Sequence, residues 1–548
     1  MHATLSLVDS IIILVYLIGI LVVGVLSVRW KKLTSDGYFL ANRGLKWPVI
    51  GAALFASNIS TIHLVGLAAS GYNEGLVWGN FEWLAAVTLI LLGLVFAPFY
   101  FKSRIATLPE FLEKRYGPGS RTVLAFIGLL GALFVHIGMS LYAGAVVFET
   151  FFGIDVITSI VVISLVTTIY TVIGGLKAVV VTETIQTVIL IGGSVLLTGI
   201  AIFALPDNGV HTLAELKAVL KPGQLSILHT KESLTALGEG GFESGLTWYA
   251  CFLGYPILGL WYWCSDQTIV QRVLGAKTQN DAQLGPIFAG FLKILPVFIL
   301  VLPGVFAYVL FRDVIGTDAN QAFPVLVNKL LPVGLKGVMA AAMLAALMST
   351  IAAALNSSAT LVAVDIVKRL NPATTDRKQI RVGRIAAVVV MVLAMLWSTQ
   401  GDKFSSIFEA INKIAAAIAP PVATVLLFGV FSKRGTRQAG LITLIAGLVL
   451  GIGFFCIDFA PISGYMYLTK GLHIPFMVQA WWLFVICTVI YFIVSYLTPK
   501  PDPEVIKKYT WENPLAVVAK GKFEGIRDPR LWAGVLIFAL VCLYSIFS

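Results

Sequence analysis

Residues 56–66 read ASNISTIHLVG, inside a stretch that otherwise looks built for lipid. From Trp47 to Phe101 there is no Lys or Arg and only two carboxylates, Glu74 and Glu82. Yet Ser57, Asn58, Ser60, Thr61 and His63 stand almost side by side within it. Polar groups at membrane depth have two explanations. Ser, Thr and Asn can hydrogen-bond neighbouring helices as packing contacts, or they can line a site, which is the default reading of an intramembrane ionisable residue such as His63. On a helix Ala56, Ser60 and His63 share one face and Ser57 and Thr61 another, so polarity runs around the segment.

The surrounding composition fixes the class. The chain has 548 residues, of which 58% are hydrophobic and 12% charged, roughly half the charged fraction of a soluble domain. A hydrocarbon core needs roughly 20 apolar helical residues per crossing. Fourteen such segments are expected, near 8–28, 47–71, 76–101, 122–150, 155–173, 178–205, 244–267, 284–311, 337–364, 385–399, 404–431, 439–457, 475–497 and 531–547. This predicts an all-α polytopic membrane protein. The net charge of +11 raises the question of nucleic acid, and the positions of the 39 Lys and Arg answer it. With the N-terminus outside, 29 fall in connections predicted to be cytoplasmic and 8 in those opposite, leaving Lys293 and Lys413 inside segments. The charge therefore reports a positive-inside orientation, with both termini outside, and no nucleic-acid partner is expected. The first segment reads as a retained anchor, because no small-residue cleavage site follows it. The five cysteines show no CxxC spacing and read as free core thiols.

Polarity is unevenly spread among the segments. The second, seventh, ninth and eleventh carry polar clusters or helix breakers, and the second and seventh stand five apart. Interrupted segments at corresponding positions of two halves point to a secondary transporter built from inverted repeats, with its site at the interruptions. In the seventh, CFLGYPILGLWYWCSDQ (251–267), Gly254, Pro256 and Gly259 are expected to unwind the helix. In the second no Gly or Pro lies between Ala52 and Val65, so a break there rests on the polar residues alone.

Other polar positions keep two readings each. In AALMSTIAAALNSSAT (345–360), Ala346, Ser349, Thr350 and Asn356 line roughly one stripe. Uncharged oxygens suit a small hard cation, while small residues at this spacing also mark close helix packing. Glu82 and Lys293 are single, opposite charges deep in their segments, readable as a structural ion pair or as the polar wall of a cavity. Glu183 and Asp266, near predicted cytoplasmic ends, read as snorkelling or capping groups. Phe81, Trp83, Trp261, Tyr262 and Trp263 read as an interfacial belt or as ring faces for a sugar.

Taken together, these residues resemble the sodium:solute symporter family, and within it the sodium/glucose cotransporter branch. The resemblance spans nearly the whole chain and rests on YFLANRGLKWPVIGAALFASNIS (38–60), HLVGLAASGYNEGL (63–76), FEW (81–83), LPEFLEKRYG (108–117), GLKAVVVTETIQ (175–186), WYWCSDQTIVQR (261–272), LNSSATL (355–361) and PPVATVLLFGVFSKR (420–434). It implies one transmembrane domain over 1–548, with fourteen helices and a LeuT-type core of two inverted five-helix repeats. The repeats would span 44–205 and 244–435, flanked by an extra helix at 8–28 and further helices within 436–548. It implies a Na⁺ site of the Ala56, Ile59 and Ala346 carbonyls with the Ser349 and Thr350 hydroxyls. Sugar contacts carry over to His63, Glu82, Lys293 and Asn412; Tyr262 and Trp263 match an inner gate and stacking platform, with Asn58 as the tyrosine's partner. Leu67, Phe81 and Phe408 match an outer gate, and Glu183 matches the sodium exit path.

The chain also departs from the branch. Asn412 replaces Gln, Gly259 and Ala85 replace polar side chains, and Glu183 replaces Asp. Thr350 replaces Ser and keeps its oxygen. Ala352 and Ala353 replace the hydroxyls of members with a second sodium site, so one Na⁺ per substrate is expected. The resulting expectation is a Na⁺-coupled importer of a monosaccharide or polyol in the plasma membrane, without covalent chemistry. No HExxH, nucleophile elbow or phosphate loop is present. The alternatives are another solute (inositol, sialic acid, an anion or an amino acid) or proton coupling through Glu82, Glu183 or His63.

Overall fold

The computed structural model describes residues 5–27, 33–237, 245–399, 407–512 and 523–548. Among these residues there is no strand, and the architecture is helical. Apolar surroundings dictate this, because a helix satisfies its own backbone groups where no water can. The chain runs α1 (Leu7–Leu26), α2 (Trp47–Asn58), α3 (Thr61–Glu74), α4 (Gly79–Leu91), α5 (Pro118–Leu130) and α6 (Val156–Ala204). It continues as α7 (Trp248–Cys264), α8 (Gln267–Leu274), α9 (Gln279–Leu292), α10 (Leu302–Ile315) and α11 (Leu335–Thr360). Then come α12 (Asp376–Ser398), α13 (Ile407–Phe431), α14 (Arg437–Asp458), α15 (Phe476–Leu497) and α16 (Pro529–Ile546). Wider π-type turns prolong α4, α5 and α11 and lead into α10. Eleven described helical runs are long and apolar enough to cross a membrane.

Burial separates core from rim. α11 has nearly every side chain covered, whereas α1 and α16 expose most of their apolar surface outward. Gly175, with φ at 59° and ψ at −155°, breaks α6 into two legs. Its missing Cβ matters doubly, since a side chain there would strain the backbone and run into the Tyr38 carbonyl.

Two further breaks position the site. α2 ends at Asn58 and α3 begins at Thr61, with Ile59 and Ser60 extended between them (ψ 112° and 173°). No Gly or Pro is needed, because Ser60 and His63 cap the new helix: the Ser60 N–H donates to His63 Nδ1 at 3.2 Å. The seventh segment breaks elsewhere than the sequence indicated. α7 runs unbroken through Gly254, Pro256 and Gly259 and stops at Cys264. The interruption is at Ser265–Asp266, where the Asp266 carboxylate caps α8 by accepting the Thr268 N–H at 2.8 Å. The glycines serve packing instead. A Cβ on Gly254 would meet the Met477 carbonyl carbon at 2.9 Å, and one on Gly259 would meet Thr88 Oγ1 at 2.9 Å.

Candidate functional site

The two breaks face each other, and side chains from four helices join there. Lys293, closing α9, forms a buried ion pair with Glu82 of α4, the side chains being 1% and 4% exposed. Its ammonium also donates to Asn58 Oδ1 at the end of α2 and lies 5.6 Å from the Trp263 ring centroid. The Asn58 amide in turn donates to Tyr262 Oη at 3.1 Å. A carboxylate, an ammonium, an amide and a phenol thus form one chain across the breaks. Opposite charges cancel within it, which is what keeps two buried ions tolerable.

This chain borders a cavity of about 150 Å³. His63, Leu67, Phe81, Glu82, Tyr262, Trp263, Lys293 and Asn412 line it, together with Tyr255 and His136. Because Nδ1 of His63 accepts from the Ser60 N–H, a neutral ring carries its proton on Nε2 and offers a donor. Phe81 stacks on Trp78 at 5.3 Å between centroids and meets Tyr255 edge-on at 5.3 Å. The wall therefore combines ring faces with donors and acceptors of no net charge. Phe408 lies in the first turn of α13, and its side chain falls outside the described residues.

A second cluster of oxygens sits where α2 meets α11. The Ser349 hydroxyl donates to the Ala56 carbonyl at 2.7 Å and the Ala346 carbonyl at 3.0 Å. The Thr350 hydroxyl reaches the Ser57 and Ala346 carbonyls, both at 3.2 Å. Ile59, fully buried, stands at the break itself. The helix end at Asn58 removes the intrahelical donors that the Ala56 and Ser57 carbonyls would otherwise use. Uncharged hydroxyl and carbonyl oxygens clustered in this way fit a small monovalent cation, which the Ser349 and Thr350 hydroxyls and the Ala56 and Ala346 carbonyls would hold.

Glu183 corrects the sequence reading. It neither snorkels nor caps, but lies in α6 at 0% exposure, paired with an equally buried Arg272 of α8. Arg272, counted by the sequence among the basic residues of a cytoplasmic connection between the segments at 244–267 and 284–311, lies within α8 instead. Ser57 links this pair to the oxygen cluster, its hydroxyl donating to Glu183 Oε1 at 2.9 Å. Asp266 does cap a helix, and it also meets His136 Nε2 at 2.7 Å. His136 escaped the sequence reading, although a lone histidine inside an apolar segment was the available signal. Thr61 ties α3 to α11 through the Met343 carbonyl at 3.0 Å, and Ser60 caps α3.

The sequence profile of the sodium:solute symporter family matches residues 38–447. The chain belongs to the sodium:solute symporter family. This symporter is 33% identical to sodium/glucose cotransporter 1 of Oryctolagus cuniculus, over 91% of its own length and 80% of that protein's. It is 36% identical to sodium/glucose cotransporter 2 of Rattus norvegicus, covering 81% and 71% of the two chains. It is 34% identical to the sodium/myo-inositol cotransporter of Bos taurus, covering 95% and 77%. Its fold superposes on a Na⁺-coupled sialic acid symporter in a substrate-bound outward-open state, with a TM-score of 0.77 at 21% identity, over 91% and 99% of the chains. The symporter is thus a multi-pass membrane transporter dependent on Na⁺, and it is not an enzyme.

Proposed function

We propose that this symporter imports a monosaccharide or related polyol together with Na⁺ across the plasma membrane. The observation that carries the reading is the net-neutral polar wall formed by Lys293, Glu82, Asn58 and Tyr262 beside the Trp263 ring. A hydroxylated, uncharged ligand needs both donors and acceptors along its edge and an apolar face for its C–H surface. An anion would meet a cation already neutralised by Glu82. Glucose-type and inositol-type relatives lie at similar identity, and both ligand classes fit such a wall.

In this reading His63, Glu82, Lys293 and Asn412 hold the ligand's hydroxyls and Trp263 takes its ring face. Tyr262, held by Asn58, closes the inner side; Leu67, Phe81 and Phe408 close the outer side. Na⁺ is held by the carbonyls of Ala56, Ile59 and Ala346 with the hydroxyls of Ser349 and Thr350, and leaves past Glu183. The ion joins α2 and α11 directly beside the broken segment that carries Asn58 and His63. Na⁺ binding therefore favours the ligand-competent arrangement, and linkage requires the ligand to favour Na⁺ equally. With Ala352 and Ala353 in place of hydroxyls, one Na⁺ accompanies each ligand; a measured stoichiometry of two contradicts this.

The architecture proposed is fourteen crossings in two inverted five-helix repeats, spanning 44–205 and 244–435. The breaks α2/α3 and α7/α8 stand at corresponding positions, and the two legs of α6 count separately. Both termini then face outside. A panel of hexoses and inositols, assayed for Na⁺-driven uptake into proteoliposomes, tests the assignment. Uptake of none of them, with uptake of a carboxylated solute instead, refutes it.

A further inference from the structure

The N-terminal helix contains a buried carboxylate that the transport site does not use. Asp9 is fully covered although it lies in the otherwise apolar α1. Its Oδ2 accepts the Ser6 hydroxyl at 2.7 Å and the Ser6 N–H at 3.0 Å. Its Oδ1 reaches across to another helix, accepting the N–H groups of Gly334 at 2.8 Å and Gly337 at 2.7 Å.

Those two N–H groups open α11, the helix that carries Ala346, Ser349 and Thr350. The first N–H groups of any helix lack intrahelical partners, and Gly334 at the N-cap has no side chain with which to supply one. Asp9 does the capping in trans, with a negative charge at the positive end of the helix dipole. The fit is close. A Cβ on Gly337 would stand 2.7 Å from the Asp9 Cα, so only glycine lets α1 approach. A second contact fixes α1 at its other neighbour, α6, where the Gln186 amide donates to Tyr16 Oη at 3.1 Å. α1 therefore bridges the helix bearing the cation oxygens and the helix bearing Glu183.

We propose that Asp9 is a positioning residue for sodium coupling, acting as a trans N-cap that fixes the height and rotation of α11 against α2. This rests on the sodium-site reading given above. Ser349 is twelve residues below Gly337, about 18 Å along a rigid helix, so slack at the cap becomes slack at the oxygens. Hydroxyls and carbonyls can close around a small cation only if the two helices are held to within a fraction of an ångström. If the whole of an ordinary cap's strength is lost to the site, cation binding weakens by about ten-fold, while the Glu82–Lys293 pair and the Trp263 ring, on α4, α9 and α7, stay in place.

The test uses the purified full-length protein and Na⁺ as the probe. The melting temperature is titrated with NaCl against choline chloride at constant ionic strength. Asp9→Ala is expected to raise the half-saturating Na⁺ concentration about ten-fold, and Asp9→Asn less, since its amide oxygen still accepts one N–H. The stabilisation at saturating Na⁺ is retained in both. If Asp9→Ala does not fold, Asp9→Asn, which preserves shape, carries the test alone. Unchanged half-saturation in the folded variants, with only a lower melting temperature at zero Na⁺, assigns the carboxylate to fold stability and overturns the proposal. Ser349→Ala separates the two readings: if it keeps the full Na⁺ response, the sodium-site assignment fails rather than the cap.

Discussion

Lys293 illustrates what a single side chain at membrane depth must satisfy. An ammonium at a helix centre costs about 2.5 to 3.5 kcal/mol on insertion scales, and here it is offset by Glu82 and Asn58 together. Lys293→Met strands the Glu82 carboxylate and is expected to destabilise the folded protein by about 3 to 5 kcal/mol, read as a large drop in melting temperature in detergent. The double variant Glu82→Gln/Lys293→Met removes both charges and should recover most of that loss, while uptake stays abolished. A single variant as stable as the double contradicts the buried pair. Residue types and helical spacing made much of this region legible: Asn58, His63, Glu82 and Lys293 were each conspicuous against apolar neighbours. What spacing could not supply was pairing across distant segments. Arg272 looked like a cytoplasmic loop charge because nothing local indicates that Glu183, 89 residues away, receives it. Asp9 was invisible for the same reason, since its partners are the backbone N–H groups of Gly334 and Gly337.

At the scale of elements the instructive case is the pair of broken helices. The second segment breaks without a helix breaker, because Ser60 and His63 satisfy the new N-terminus and Ser349 and Thr350 satisfy the freed carbonyls. The seventh does not break at its Pro and Gly residues: the helix runs on through Pro256, and Gly254 and Gly259 serve close packing against Met477 and Thr88. Composition marks both segments as unusual, but the location of a break depends on which residue can cap it. Pro256→Ala is therefore expected to leave uptake near wild type. Asp266→Ala removes both the Thr268 cap and the partner of His136, and should lower uptake by about ten-fold or more. Gly254→Ala should cost about 1 to 3 kcal/mol by overpacking against α15, visible as a lowered melting temperature. Equal effects of Pro256→Ala and Asp266→Ala would place the functional break back at the proline.

Across the whole molecule, the family and its sodium dependence follow from the chain's own segments, and the membrane explains why so much of the fold could be read. Hydrocarbon forces helices, because they satisfy their own backbone groups there. The order of the interrupted segments then points to the place where α2/α3 and α7/α8 meet. Which solute binds was not legible, because Asn412, Gly259 and Ala85 depart from the residues that the resemblance to the sugar branch implies at those positions. Ligand binding to the folded form alone must stabilise it by mass action, about 2.7 kcal/mol at a hundred times the dissociation constant. Na⁺, unlike choline, should accordingly raise the melting temperature of the wild-type protein and fail to do so in Ser349→Ala.

The most direct test is solute accumulation in proteoliposomes at one fixed pH, with the proton gradient collapsed by an ionophore and only the Na⁺ gradient varied. Accumulation of a hexose or inositol that appears with inward Na⁺, vanishes when choline replaces it, and is lost in both Ser349→Ala and Glu82→Ala is the predicted result. Accumulation that ignores the Na⁺ gradient and returns only with an imposed proton gradient would contradict the account.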